Sequence, residues 1–116
     1  MITQLAFWGV TAHLFADWLL QNHWMATYKS SLKHPAAWVH GGIHFLFMLL
    51  VFPPAWALVI ATVHILIDTR RPLIWWRKTY RQTQTGDAAL HVAIWGDQVA
   101  HWLVIAAVAI LVWMSI

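Results

Sequence analysis

Each of four apolar stretches in the sequence carries one pair of histidine or aspartate residues, with the two partners four positions apart. In an α-helix, residues at i and i+4 lie on one face, so each pair points in a single direction. Ionisable groups on apolar helices are costly unless they are paired or bound to a cation. The spacing therefore predicts four helices around one shared polar site. The pairs are His13 with Asp17, His40 with His44, His64 with Asp68, and Asp97 with His101.

The composition favours lipid as the surroundings of these helices. Hydrophobic residues make up 61% of the 116 residues and charged residues only 9%, and the mean hydropathy is +0.62. A soluble domain of this length needs a polar shell that this chain cannot supply. We therefore expect an integral membrane protein. Cysteine is absent, which excludes disulfides, iron–sulfur ligation and thiolate zinc sites.

The predicted architecture is all-α, a membrane four-helix bundle in a single domain covering residues 1–116. Pro53 and Pro54 force a tight reversal between two of the spans, because proline lacks the amide proton that a continuing helix needs. The bundle consists of two helical hairpins that run parallel to each other. The predicted helices cover about 2–22, 36–52, 55–69 and 88–113.

The positive charges predict how the chain lies in the membrane. All 7 Lys and Arg residues fall in two connections, one holding Lys29 and Lys33 and the other running from Arg70 to Arg81. Cytoplasmic loops of membrane proteins are enriched in such residues. We therefore predict a multi-pass protein of the bacterial inner membrane, with both connections cytoplasmic and both termini outside. Tryptophans and cations in 70–81 are expected to meet anionic lipid headgroups, and a nucleic-acid role is not expected.

This topology sorts the eight paired residues into two layers. The four residues of the deeper layer lie near the midplane, and those of the other layer lie one helical turn nearer the cytoplasm. Imidazole and carboxylate ligands together suit divalent metals such as zinc, iron and manganese. We therefore predict a zinc or dinuclear metal site. The deeper layer holds His13, His44, His64 and His101, and the shallower one holds Asp17, His40, Asp68 and Asp97.

Other polar residues receive plainer interpretations. Any single His–Asp pair could merely join helices by hydrogen bonds, and it is the recurrence at matched depth that favours a metal. Gln21 and Gln98 are expected beside the site rather than in it. Gly41 and Gly42 are expected to permit close helix contact. His23, His34 and His91 are expected to be solvated.

The motifs carry a resemblance to a known family. The runs are His13-x-x-x-Asp17-x-x-Leu20-Gln21, His64-x-x-x-Asp68 and Asp97-Gln98-x-x-His101. Together they resemble a family of small bacterial and phage polytopic membrane proteins of unknown function, over essentially the whole chain. The chain is also loosely similar to inner-membrane metal-dependent hydrolases, although the His-Ser motif of that group is not evident. These resemblances imply a membrane-embedded metal site more than they imply a reaction.

Three functional hypotheses follow. The first is a metal-dependent hydrolase in which Asp17, Asp68 or Asp97 serves as general base, acting on a lipid or lipid-linked substrate from the cytoplasmic leaflet. The second is a haem- or pigment-binding subunit for electron transfer, within an oligomer or larger membrane complex. The third is a metal or proton conduit. A conduit needs polar groups along its whole length, and the outer half of the predicted bundle offers few of them.

The orientation can be tested with fused reporters. We expect a reporter after Ile116 to be active outside the cytoplasm and a tag near Thr83 to be protected inside it, because all Lys and Arg residues lie in connections on the side of Thr83. Reporter activity and protease accessibility in intact cells measure this. A cytoplasmic C-terminus would invert the predicted topology.

Overall fold

The computed structural model describes residues 1–83 and 85–116, and its regular structure is helical. No strand occurs in these ranges, which confirms the all-α prediction. A π-helical turn at Phe15–Leu19 continues the first helix. The helices are α1 (Ile2–Leu14), α2 (His23–Tyr28), α3 (Pro35–Met48), α4 (Pro54–Asp68), α5 (Arg71–Thr79) and α6 (Asp87–Ser115).

The first predicted span differs from the observed one in its second half. Regular α-helix ends at Leu14, and the wider turn carries the chain as far as Leu19. The amide of Leu20 donates to the carbonyl of Phe15 at 3.0 Å, five residues back. Such wide turns occur often at functional sites. Asp17 lies within this turn, so its side chain is displaced from the regular i+4 position relative to His13.

The connections between the bundle helices contain further helices that the sequence interpretation did not include. Asn22 begins α2, because its side chain accepts a hydrogen bond from the amide of Met25 at 3.0 Å. Pro35 and Pro54 begin α3 and α4, where proline costs no hydrogen bond. The basic segment forms α5. Both connections therefore contain a short helix.

The four longer helices form the bundle. Helix α3 packs on α1 and α4, and α6 also packs on α1 and α4. Gly9 of α1 lies close to Phe52, just after α3, and to Ile105 of α6, whereas Asp17, which is eight residues later, lies close to His40 and Gln98, which come earlier in those helices. Helix α1 therefore runs antiparallel to both neighbours. The apolar core fills this end of the bundle and includes Ala12, Met48, Phe52, Ala57, Ile60, Ile105 and Val108.

Among the described helices, α6 is the one with both the length and the apolar character needed to cross a membrane. Helix α4 is apolar but shorter. The 14 residues of α3 span about 21 Å, less than the hydrocarbon thickness of about 30 Å. A membrane crossing by all four bundle helices therefore stays a prediction.

Two adjacent glycines of α3 provide a matched test of the packing. A Cβ added to Gly41 would overlap the side chain of Ile65 in α4, whereas one added to Gly42 would meet no atom within 4 Å. We expect Gly42→Ala to raise the free energy of unfolding by up to about 1 kcal/mol through helix propensity. Gly41→Ala should be about 1–3 kcal/mol less stable than Gly42→Ala, because Ile65 must move. Unfolding in mild detergent, followed by circular dichroism, measures the difference. Equal stability of the two variants would contradict the close contact.

Candidate metal centre

The bundle buries a cluster of histidine and aspartate side chains next to its apolar core. Their elements are the π-helical turn, α3, α4 and α6. The side chains face inward because each pair lies on one helix face. Each residue is at most 8% exposed. Six of them supply atoms to two groups that could hold a metal ion: Asp17, His40, His44, His64, Asp68 and His101.

The first group contains Asp17, His40, His44 and His64, whose ligand atoms all lie within 4.8 Å of one another. The Oδ1 atom of Asp17 is 3.2 Å from Nε2 of His40, 3.6 Å from that of His44 and 3.9 Å from that of His64. Bonds of about 2.0–2.2 Å to a metal place neighbouring ligand atoms about 2.8–3.6 Å apart. The observed separations fit such a shell after a small contraction.

The second group contains His64, Asp68 and His101. Asp68 Oδ2 lies 2.9 Å from Nε2 of His64, and its Oδ1 lies 3.5 Å from Nε2 of His101. The same Oδ2 is 3.4 Å from Nε2 of His40, a member of the first group. Asp68 and His64 therefore join the two groups. A carboxylate in this position could supply ligand atoms to metal bound at either group.

Many polar atoms of the cluster have no hydrogen-bond partner despite these short distances. Within residues 1–83 and 85–116, the buried atoms without a hydrogen-bond partner include both oxygens of Asp68, both ring nitrogens of His44 and His64, and Nε2 of His101. The 2.9 Å contact between His64 and Asp68 thus lacks the angles of a hydrogen bond. Each buried polar atom left unpaired costs about 1–3 kcal/mol. A bound cation would satisfy these atoms together, so the donor set fits a metal ion.

The ring of His101 is oriented by its own helix. Its Nδ1 atom lies 2.7 Å from the backbone carbonyl oxygen of Asp97, to which an N–H group there would donate. This contact favours the tautomer in which Nε2 carries the lone pair and faces Asp68. Metal-binding histidines commonly have their second nitrogen held in this way.

Two of the eight predicted ligands lie beside the two groups. His13 is buried, and its Nε2 is 3.2 Å from Oε1 of Gln98. The amide nitrogen of Gln98 donates to Asp17 Oδ2 at 3.0 Å and to Asp97 Oδ2 at 3.3 Å. Asp97 has a side chain that is 25% exposed. Gln98 therefore orients Asp17, and His13 in turn contacts Gln98. A position beside the site was expected for Gln98. Asp97 lies outside both ligand groups.

Lys29 is a site residue that the sequence interpretation missed. Its Nζ atom lies 3.8 Å from Asp17 Oδ1 and 3.9 Å from Asp68 Oδ1. Lys29 follows α2 directly, and α2 packs on α3, which directs this residue back toward the cluster. No local pattern around Lys29 distinguishes it from the other cations of the connections, so only the folded chain reveals its position.

A cavity of about 390 Å³ reaches the cluster from the side of the basic connections. Asp68, Asp97 and Gln98 line it, together with Lys29 and Arg77. Structural metal sites are closed, whereas catalytic ones keep a position open to substrate. Because Asp68 belongs both to the second ligand group and to the cavity wall, this centre has the access that a catalytic site needs.

The chain belongs to the DUF3307 family, described as proteins of unknown function, whose sequence profile matches residues 5–116. This match confirms the expected membership in a family of unknown function. No curated protein and no solved structure matches the chain.

Metal content should depend most strongly on His64, because it belongs to both ligand groups. We expect His64→Ala to lose nearly all bound metal. His13→Ala, which removes a residue that orients a ligand, should weaken metal binding about 10–100-fold. The exposed His23 provides the control, since His23→Ala should retain the parent content. Elemental analysis of detergent-purified protein measures this, and equal content in all variants would contradict the centre.

Proposed function

We propose that this member of the DUF3307 family is a metal-dependent hydrolase of the bacterial inner membrane that acts on a lipid or lipid-linked substrate. The observation that carries the proposal is the position of Asp68. Its carboxylate lies within 3.5 Å of three histidine nitrogens and it also lines a cavity large enough for part of a substrate. A buried cluster that only joined helices would need no such opening.

Several features support the membrane placement. Helix α6 is long and apolar enough to cross a bilayer, and large apolar side chains are exposed on every bundle helix, including Trp8, Leu46, Leu58 and Leu103. The segment Ile2–Leu19 is helical throughout and spans about 27 Å. A membrane would cover these surfaces, whereas water would leave them exposed.

The cytoplasmic orientation has separate support. Lys29 from one connection and Arg70 and Arg77 from the other line the same cavity, so the two connections lie on one side of the molecule. Positive residues on one side favour a cytoplasmic location for it. The cavity would then open toward the inner leaflet.

The ligand set favours two divalent ions over one. Five buried histidines and two buried aspartates occupy one region of the bundle, and two groups of ligand atoms share His64. Four-helix bundles are a common setting for dinuclear centres with carboxylate bridges. Imidazole nitrogens with carboxylate oxygens suit zinc, iron or manganese, and we propose zinc for a hydrolase. When bound, such ions supply Lewis acidity that makes water a stronger nucleophile.

Among the three candidate bases, Asp97 fits the role best. Asp17 and Asp68 belong to the ligand groups, whereas Asp97 does not. Its partly exposed carboxylate lines the cavity and accepts a hydrogen bond from Gln98. A general base must reach the water from which it takes a proton, and an unligated carboxylate facing the cavity can do so. Asp97 would hold that proton while Gln98 orients the carboxylate.

The packing of the histidine rings disfavours haem or a pigment. The ring centroids of His44 and His64 are 3.5 Å apart, and those of His64 and His101 are 4.3 Å apart. The gap among these rings is about 10 Å³, no more than the roughly 10–15 Å³ that a single water molecule needs. A macrocycle would require the bundle to separate.

A conduit across the protein is also disfavoured. The outer half of the bundle is filled by the apolar core, including Met48, Phe52 and Ile105. The hydroxyl groups of Thr11 and Thr62 are exposed and donate to carbonyls of their own helices. Polar groups would have to continue through the core for ions or protons to pass.

Replacement of single aspartates by asparagine tests the assignment of roles. We expect Asp68→Asn to lose both metal and hydrolysis, because an amide is a poor ligand. Asp97→Asn should retain the metal and lose about 10²–10⁴-fold in hydrolysis rate, because an amide cannot accept the proton. Elemental analysis and release of p-nitrophenol from long-chain phosphate and carboxylate esters, with chelator and with added zinc, measure both properties.

The exposed Asp87 provides the matched control, and Asp87→Asn should behave as the parent. A parent protein that binds no metal would overturn the metal centre. A metal-loaded parent that hydrolyses neither ester class would overturn the hydrolase, and full activity in Asp97→Asn would overturn the role of Asp97.

A further inference from the structure

The cavity beside the metal ligands carries a surplus of positive side chains. Lys29, Arg70 and Arg77 lie in its wall, together with the two carboxylates of Asp68 and Asp97. Ions bound by Asp68 would add further positive charge. A cavity with this balance attracts anions, and its low-dielectric walls strengthen the attraction.

The two arginines of the cavity are not engaged by carboxylates. Within residues 1–83 and 85–116, Lys29 forms ion pairs with Asp17 and Asp68, but neither Arg70 nor Arg77 forms one. The Nε atom of Arg77 is buried and has no hydrogen-bond acceptor among the described residues. The planar guanidinium group matches phosphate oxygens with two parallel N–H···O bonds. A phosphate group would therefore satisfy donors that the protein leaves free.

The chain path ties one arginine to the metal centre. Arg70 comes two residues after Asp68, and its backbone adopts a left-handed conformation with φ 67°. This reversal ends α4 and begins α5, which packs on both α4 and α6. Left-handed backbone is costly for residues other than glycine, so the packing of α5 must hold it. The result is a cation beside the ligand Asp68.

An apolar groove of about 550 Å³ continues from this cavity between α5 and α6. Cavity and groove share Leu73, Arg77 and Ala93 in their walls. From Val92 to Leu103 the groove follows α6 for about 16 Å. Trp76 and Trp95 also line it. One end of the combined space is therefore positively charged, and the other is apolar and as long as a medium alkyl chain.

From this continuity we propose that the substrate is an amphiphile with a phosphate ester head. Its head lies in the cavity between Arg70, Arg77 and Lys29, and its single alkyl chain lies in the groove between α5 and α6. The hydrolysis of this substrate rests on the proposed hydrolase function, whereas its binding does not. A neutral ester would leave both arginines without acceptors, and inorganic phosphate would leave the groove unfilled.

The reaction for such a substrate balances with water alone. The oxygen of water forms a bond to phosphorus, and the ester P–O bond breaks with its electron pair staying on the leaving alkoxide. Asp97 takes one proton from the water and passes it to that alkoxide, which leaves as an alcohol. The phosphate product keeps the transferred oxygen. Positioned cations stabilise the charge on the phosphoryl oxygens in such transfers.

Alkylphosphonates test the binding without turnover, because their P–C bond is not hydrolysed. The probes are dodecylphosphonate, butylphosphonate and inorganic phosphate, titrated calorimetrically into the full-length, zinc-loaded protein in neutral detergent. We expect dodecylphosphonate to bind tightest. Arg77→Gln and Arg70→Gln should each weaken its binding about tenfold or more, as for the loss of a charged hydrogen bond. Arg71 lies outside both spaces, so Arg71→Gln should bind as the parent does.

A second pair of variants tests the groove. Gly96 lines the groove, and a Cβ added there would meet no atom within 4 Å, so Gly96→Phe would introduce a ring at the groove wall without a clash at its Cβ atom. We expect it to weaken dodecylphosphonate binding about tenfold or more. The affinities for butylphosphonate and phosphate should stay unchanged. Gly42→Phe, at the equally open position in α3, is the control and should change no affinity.

The outcomes separate this inference from the hydrolase. Chain-dependent and arginine-dependent binding supports the inference even if no ester is hydrolysed. Equal affinity for dodecylphosphonate and phosphate, with no effect of Gly96→Phe, would overturn the amphiphile. Equal affinity for dodecylphosphonate and neutral dodecanol, or unchanged binding in both arginine variants, would overturn the phosphate head. Ester hydrolysis alongside either of these results would leave the hydrolase standing and this inference wrong.

Discussion

The burial of two carboxylates in an apolar bundle is the constraint on which the rest of this structure depends. Asp17 and Asp68 are 8% and 3% exposed, and a buried charge without partners costs several kcal/mol. Their partners are imidazole nitrogens from three helices and one lysine. These contacts leave many lone pairs unsatisfied. A divalent cation would resolve the deficit, and in that case metal binding would be coupled to folding.

Several irregular features of the backbone serve this centre. The π-helical turn at Phe15–Leu19 displaces Asp17 from the regular helical position, and the close contact of Gly41 with Ile65 brings α3 and α4 together, which carry four of the ligands. The left-handed Arg70 turns the chain just after Asp68. Each feature would weaken an ordinary bundle. Here each one places a ligand or a cation near the two ligand groups.

The histidine and aspartate cluster is accessible from one side only. Behind the ligands lies an apolar core, and beside them lies a cavity lined by Asp97 and by cations from both connections. Water and an anionic group can reach the centre from one side, and the core closes the other. The cavity continues into an apolar groove along α6. This asymmetry is the basis for the amphiphilic substrate that we propose.

The sequence by itself determined the helical class and the chemistry of the centre. Spacing of four residues places two side chains on one helix face whatever the tertiary structure, so all six residues of the two ligand groups were predictable from their pairs. Only the folded chain decided that His13 and Asp97 stand outside those groups, that Lys29 reaches two aspartates, and that Arg70 and Arg77 share their cavity. These positions depend on the wide turn before Leu20 and on how α2 and α5 fold back. Such contacts join residues far apart in the chain, and no local periodicity records them.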